Sequence, residues 1–151
     1  MLTVHEYIDI AAPVNRVFAF MDTPAHQAEI TPSLSQSTLI ERLPSGGSRA
    51  RYTYRIWGLS LSGEVHATDY VPNERIVWSM RGELRGTVRW YFEPSEPGSR
   101  VTYAATYRVP GPRLLRSLAR PLVRRYNKRE VHALLQNLKQ RLEASKETDR
   151  T

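Results

Sequence analysis

With 151 residues, 40% of them hydrophobic, the chain can build one core and is short for two domains. No apolar run reaches the roughly 18 residues of a membrane-spanning helix. The N-terminus, Met1-Leu2-Thr3-Val4-His5-Glu6-Tyr7, has neither the basic stretch nor the long apolar segment of a secretion signal. Cysteine is absent, which removes disulfides, thiolate metal sites and cysteine nucleophiles and fits a reducing, cytoplasmic setting. Lysine and arginine total 22 against 15 acidic residues, a net charge of +7 that suits anionic lipid, nucleic acid or acidic ligands.

Residues 1–10 alternate apolar and polar and predict an opening strand. Ala11-Ala12-Pro13 then starts a helix in which Val14, Val17, Phe18 and Met21 form one apolar stripe. Asp22-Thr23-Pro24 ends it, and a second short helix is expected from Pro24 to Ile30. Six strands follow, at about 36–43, 49–57, 59–71, 75–81, 86–92 and 100–109, divided by turns rich in proline, glycine and asparagine. Short turns force antiparallel pairing, so these strands form a meander. Each has one apolar face, so helices must cover one side of the sheet.

Period-two parity assigns the covered face. It carries Tyr52 and Tyr54; Leu61, Gly63, Val65, Ala67 and Asp69; Ile76, Trp78 and Met80; Val88, Trp90 and Phe92; and Tyr103, Ala105 and Tyr107. His66 and Tyr70 fall on the opposite face. After Pro110-Gly111-Pro112 the chain reads as helical to about Ser145. Leu115, Leu118, Leu122 and Tyr126 make one stripe, and Val131, Leu134, Leu135, Leu138 and Leu142 a second, out of phase with the first. With Pro121 between them, a kink or a break into two helices is expected there. Residues 1–145 read as a single domain and residues 146–151 as a polar, frayed tail.

Sequence signatures of known chemistry are scarce. There is no phosphate-cradling glycine loop and no H-E-x-x-H, and the four histidines lack ligand spacing, so neither a metal nor a cofactor is expected. Asp69 reads either as a polar anchor or general acid/base in a covered space, or as a cap on the turn at Pro72. The inward aromatic residues Tyr52, Tyr54, Trp78, Trp90, Tyr103 and Tyr107 read either as ordinary core or as the lining of a ligand cavity with tyrosine hydroxyls as polar handles. Arg113, Arg116, Arg120 and Arg124 recur at three and four on one helix face. They form a solvated face or a surface for an anionic membrane. Aromatic residues do not alternate with them, so nucleic acid is not expected.

The local wording resembles a known family. Ile10-Ala11-Ala12-Pro13-Val14-Asn15-Arg16-Val17-Phe18 is similar to an "I-x-A-P-x-x-x-V-F" opening. Asp69-Tyr70-Val71-Pro72-Asn73-Glu74-Arg75-Ile76 is similar to a strand-turn-strand around "Y-x-P-x-x-x-I". Trp90-Tyr91-Phe92-Glu93-Pro94 with Gly98 to Tyr103 resembles a penultimate hairpin, and Leu135-Gln136-Asn137-Leu138-Lys139-Gln140-Arg141-Leu142-Glu143 resembles an "L-x-x-L-K-x-x-L-E" ending. In this order they resemble the START-like (SRPBCC) superfamily, of the polyketide cyclase/dehydrase and lipid transport type. The resemblance implies an α+β helix-grip fold: a curved seven-stranded antiparallel sheet, two short helices, and a long C-terminal helix closing a cavity. That superfamily includes lipid and quinone binders, receptors and aromatase/cyclases, so fold alone does not choose among them.

Three functions follow as expectations. The first is binding or transport of a small hydrophobic ligand such as a lipid, a quinone or an aromatic polyketide-like molecule, without catalysis. The second is a cyclase/dehydratase enzyme acting on such a ligand. The third is a membrane-surface or interaction module using the basic helix. Oligomeric state is not readable from the sequence.

Overall fold

The computed structural model describes residues 2–56, 59–108 and 113–148. Side chains at positions 2, 56, 59, 113–124, 126 and 145–148 lie outside that description, as do the expected turns at 57–58 and 109–112 and the end of the expected tail. The elements run β1 (Leu2–Ile10), α1 (Val14–Met21), α2 (Pro24–Ile30), β2 (Leu34–Arg42), β3 (Ser48–Ile56), β4 (Leu59–Val71), β5 (Arg75–Gly82), β6 (Arg85–Ser95), β7 (Gly98–Arg108) and α3 (Arg113–Thr148). The strands form one antiparallel sheet in the order β1-β7-β6-β5-β4-β3-β2. Six consecutive strands make the meander, and β1 pairs with the last of them, Ile8 opposite Val101 and Leu2 opposite Tyr107.

The two short helices sit where their sequence signals put them. Pro13 takes the N-cap of α1 in extended conformation, and Pro24 opens α2, where a missing N–H removes no helical bond. Val17, Phe18 and Met21 are buried, and the Phe18 ring meets Phe92 and Tyr70 edge-on at 5.2 and 5.5 Å. The entry to α1 is pinned by Ser99, whose hydroxyl donates to the Ala12 carbonyl. Gly98 is required beside it, because a Cβ there would stand 2.7 Å from the Ala12 carbonyl oxygen.

The helix α3 continues through Pro121 as one element to Thr148, so the alternative of two separate helices is corrected, and the chain stays helical past Ser145. A proline deletes one N–H bond and bends a helix, which does not by itself terminate it. Among the described residues no helix is long and apolar enough to cross a membrane. Val131, Leu134, Leu135, Leu138 and Leu142 are all buried and join Ile10, Ile76, Trp78, Trp90, Phe92 and Val101 in the main core. A second, smaller core gathers Leu34, Tyr52, Leu61, Met80 and Leu84 at the other side of the sheet.

On β3 to β7, the strands to which parity assigned a covered face, it holds on all but one; β2 has its own irregularities, between Leu34 and Gln36 and between Leu39 and Glu41. On β4, Ala67 stands opposite Trp78, but the next partner pair is Asp69 with Val77, so Thr68 is an extra residue in the ladder. This bulge exchanges the faces of everything after it. Tyr70 turns inward onto the core, and its hydroxyl donates to Asp22 Oδ2 at 2.8 Å. Asp69 turns outward.

Leu138 is fully buried between α3 and the sheet. Leu138→Ala is expected to lower stability by about 2–5 kcal/mol in urea unfolding followed by tryptophan fluorescence. An unchanged midpoint would mean that the grip of α3 contributes little to the fold.

Candidate functional site

Between the two cores lies a cavity of about 100 Å³. Its floor is the sheet: Ala50, Tyr52 and Tyr54 from β3, Val65 from β4, Trp78 and Met80 from β5, Val88 and Trp90 from β6, Tyr103 and Tyr107 from β7. Leu84, in the β5–β6 turn, closes one end. Pro24 and Gln27 of α2, Thr31 and Ser33 of the following link, and Leu34 and Ser37 of β2 form one side. Asn127, Glu130, Val131 and Leu134 of α3 form the other. Val65 and Val88 touch both cores, which marks the cavity as the seam between them.

Six of the seven residues singled out as ligand-facing therefore share one wall: Tyr52, Tyr54, Trp78, Trp90, Tyr103 and Tyr107. Asp69 does not. The bulge at Thr68 places it on the outer face, where its Oδ2 accepts from Arg75 Nε at 2.6 Å and its side chain is 45% exposed. It is neither a cavity group nor a cap on the Pro72 turn. The side chains of Arg113, Arg116, Arg120 and Arg124 lie outside the described residues. Among the described residues no three acidic or histidine side chains gather as a metal site would require.

The four tyrosines are not equivalent. Tyr52 is 3% exposed, and its hydroxyl lies 3.0 Å from the Arg81 carbonyl oxygen, 3.1 Å from that of Leu84, and accepts from the Leu84 N–H at 3.1 Å. That hydroxyl ties down the β5–β6 turn and is not available to a ligand. Gly63 makes room for it, since a Cβ there would fall 2.5 Å from the Tyr52 oxygen. Tyr54 and Tyr103 give or take no hydrogen bond among the described residues. Burial, and then the neighbouring phenols and the Glu130 carboxylate, push both phenols far above their ordinary range. They are neutral hydroxyls at the cavity wall. Trp90 and Tyr103, partners across β6 and β7, meet edge to face at 4.9 Å.

Glu130, absent from the sequence-based candidates, supplies the wall's carboxylate. Its Oε1 accepts from the Ser33 N–H at 2.6 Å and from the Ser33 hydroxyl. The signal was present: Asn127, Glu130, Val131 and Leu134 stand at i, i+3, i+4 and i+7, one face of α3. Ser33 and Gln27 carried no such signal, because only folding brings α2 and its link against α3. Three wall residues also keep buried donors without partners among the described residues, Trp78 Nε1, Trp90 Nε1 and Asn127 Nδ2.

Two consequences are measurable. Tyr52→Phe is expected to cost about 1–3 kcal/mol by urea unfolding, because it strands the Leu84 N–H; a neutral result would remove Tyr52 as the anchor of the turn. Alkali tests the other phenols. Burial, with the Asp22 carboxylate beside it, raises Tyr70 from 10.0 to about 12, in the same direction as Tyr54 and Tyr103. A raised pKa stabilises the fold below the unfolded value of 10.0, and this is lost as pH climbs through the folded value. Phenolate absorbance of the folded protein should therefore lag that of the urea-unfolded chain above about pH 10, and Tyr70→Phe should remove part of the lag. Superimposed titration curves would contradict the burial of these hydroxyls.

Comparison with known proteins places this geometry. No curated protein matches the chain. Among solved structures, a protein from Thermus thermophilus superposes with a TM-score of 0.81 at 22% identity, covering 95% of this chain and 97% of that one. The Zhui aromatase/cyclase from Streptomyces sp. R1128 gives 0.70 at 16% identity, over 95% and 97%. The di-domain ARO/CYC StfQ from the steffimycin biosynthetic pathway gives 0.76 at 18% identity, over 95% of this chain and 51% of that chain. At these identities the likeness is one of fold. The sequence itself goes further, since residues 1–143 match the family model described as polyketide cyclase / dehydrase and lipid transport, and the chain belongs to that family.

Proposed function

We propose that the protein binds a small, largely apolar ligand in the cavity between the sheet and α3. The observation that carries this reading is the lining itself: an aromatic and aliphatic floor with the hydroxyls of Tyr54 and Tyr103, flanked by Glu130 and by the polar side chains of Gln27, Thr31, Ser33, Ser37 and Asn127. Apolar area supplies affinity and a few fixed polar groups supply orientation. Size narrows the ligand. The space of about 100 Å³ is below the ~150 Å³ that holds benzene in an engineered core and below the roughly 300–1,000 Å³ of a drug-sized pocket. It admits the end of a longer molecule, and a whole ring only where the wall shifts outward. An aromatic ring suits this lining better than a lipid tail, because flat rings stack on Trp and Tyr.

A second reading, cyclase/dehydratase catalysis, has Glu130 in its favour as a proton-transfer group among phenols. Binding is preferred because no second carboxylate, histidine or lysine among the described residues lines the cavity to complete an acid/base pair. Loss of water from a bound molecule, read as a mass change on incubation, would reverse that preference.

The test of binding is native mass spectrometry of the purified protein with organic extraction of what it carries, beside Val88→Phe, which fills the seam. A 1:1 small molecule on the wild type and none on a folded Val88→Phe is the expected result. Equal ligand content in both would place the bound molecule elsewhere.

A further inference from the structure

Among the described residues, Glu130 is the one acidic or basic side chain lining the cavity. Its Oε1 is engaged by Ser33, and its Oε2 accepts from no described residue. No described arginine or lysine pairs with it, although seven other ion pairs hold described acidic groups elsewhere. A carboxylate drawn into an apolar wall requires hydrogen bonds or a counter-charge. Glu130 is half-buried, and among the described residues its first oxygen has its bonds while its second has neither a bond nor a counter-charge. Tyr54, Tyr103 and Tyr107 line the same cavity as Glu130. Aromatic rings around a carboxylate attract a cation and repel an anion.

We propose that the ligand is an organic cation, its ammonium group set against Glu130 Oε2 among the rings of Tyr54 and Tyr103 and its apolar part filling the space by Trp78, Val88 and Trp90. This rests on the reading of the cavity as a ligand site and adds the charge of what enters it. It also opposes the chain's overall charge of +7, which by itself draws anions. Ligand charge therefore separates the local field from the global one.

The experiment is calorimetric titration of the full chain with three probes of one shape: benzylamine, benzyl alcohol and benzoate. Benzylamine is expected to bind at least about tenfold more tightly than benzyl alcohol, from a charge-assisted bond and cation–π attraction, with benzoate weakest. Glu130→Gln, which keeps an acceptor for Ser33, should abolish the advantage of benzylamine over benzyl alcohol. Wild-type protein that binds benzyl alcohol or benzoate as tightly as benzylamine overturns the proposal, whatever the variant does. So does a folded Glu130→Gln protein that retains the preference. Equal binding of all three probes, lost in Val88→Phe, overturns the charge preference alone; no binding of any probe overturns the cavity reading with it.

Discussion

A sheet with one apolar face must be covered, and a single helix is too narrow to cover seven strands. Strands spaced about 4.8 Å apart give a sheet roughly 29 Å across, whereas a helix with its side chains is about 10–12 Å wide. The mismatch shapes the molecule. α3 seals the part of the inner face built from β1, β7, β6 and β5, where Ile10, Val101, Phe92 and Ile76 meet Leu134, Leu135, Leu138 and Leu142. At the other side, β3 and β4 make their own smaller core with Leu34 and Leu84. The cavity lies at the seam, where neither cover suffices.

The position of α3 is set by polar tethers as well as by leucines. Lys139 donates to the Asp9 carbonyl at 2.9 Å, and Glu143 accepts from the Ala11 N–H at 3.1 Å, so one end of the helix face is bound to the exit of β1. Asn137 donates to the Ile30 carbonyl at 2.9 Å, and Glu130 holds Ser33, so the other side is bound to the exit of α2. These groups satisfy backbone atoms where strands and helices stop, which would otherwise be buried without partners. Glu130 thus has two environments at once: one oxygen belongs to the scaffold and the other to the cavity wall. A side chain placed by a structural bond is held in one geometry.

One extra residue on β4 redistributes chemistry between the two faces. Because side chains alternate, the bulge at Thr68 sends Asp69 to water and to Arg75, and brings Tyr70 in to Phe18 and Asp22. Asp22 in turn pairs with Arg42 at 3.2 Å, linking the end of α1 to the end of β2. A carboxylate that would have charged the cavity floor becomes a surface group, and a phenol takes its place in the packing.

Much of this was legible without coordinates. Period-two alternation put Tyr54, Trp78, Trp90, Tyr103 and Tyr107 on the covered face, and helical spacing marked Val131 to Leu142 as the gripping stripe, because both patterns are imposed by local backbone geometry on contiguous residues. The family followed from the order of the local motifs. What the sequence left open are the features that depend on residues far apart in the chain. The bulge that removed Asp69 is a mismatch between two strands, invisible along either one. Tyr52 was assigned correctly to the inner face, but its hydroxyl is committed to a turn thirty or so residues away. Glu130 lay in plain view on the α3 face, yet its meaning came from Ser33, 97 positions earlier, and from tyrosines of β3 and β7. Alternation and helical period decide which way a side chain points; only the tertiary structure decides what it meets there, since that is set by the register and packing of the whole sheet.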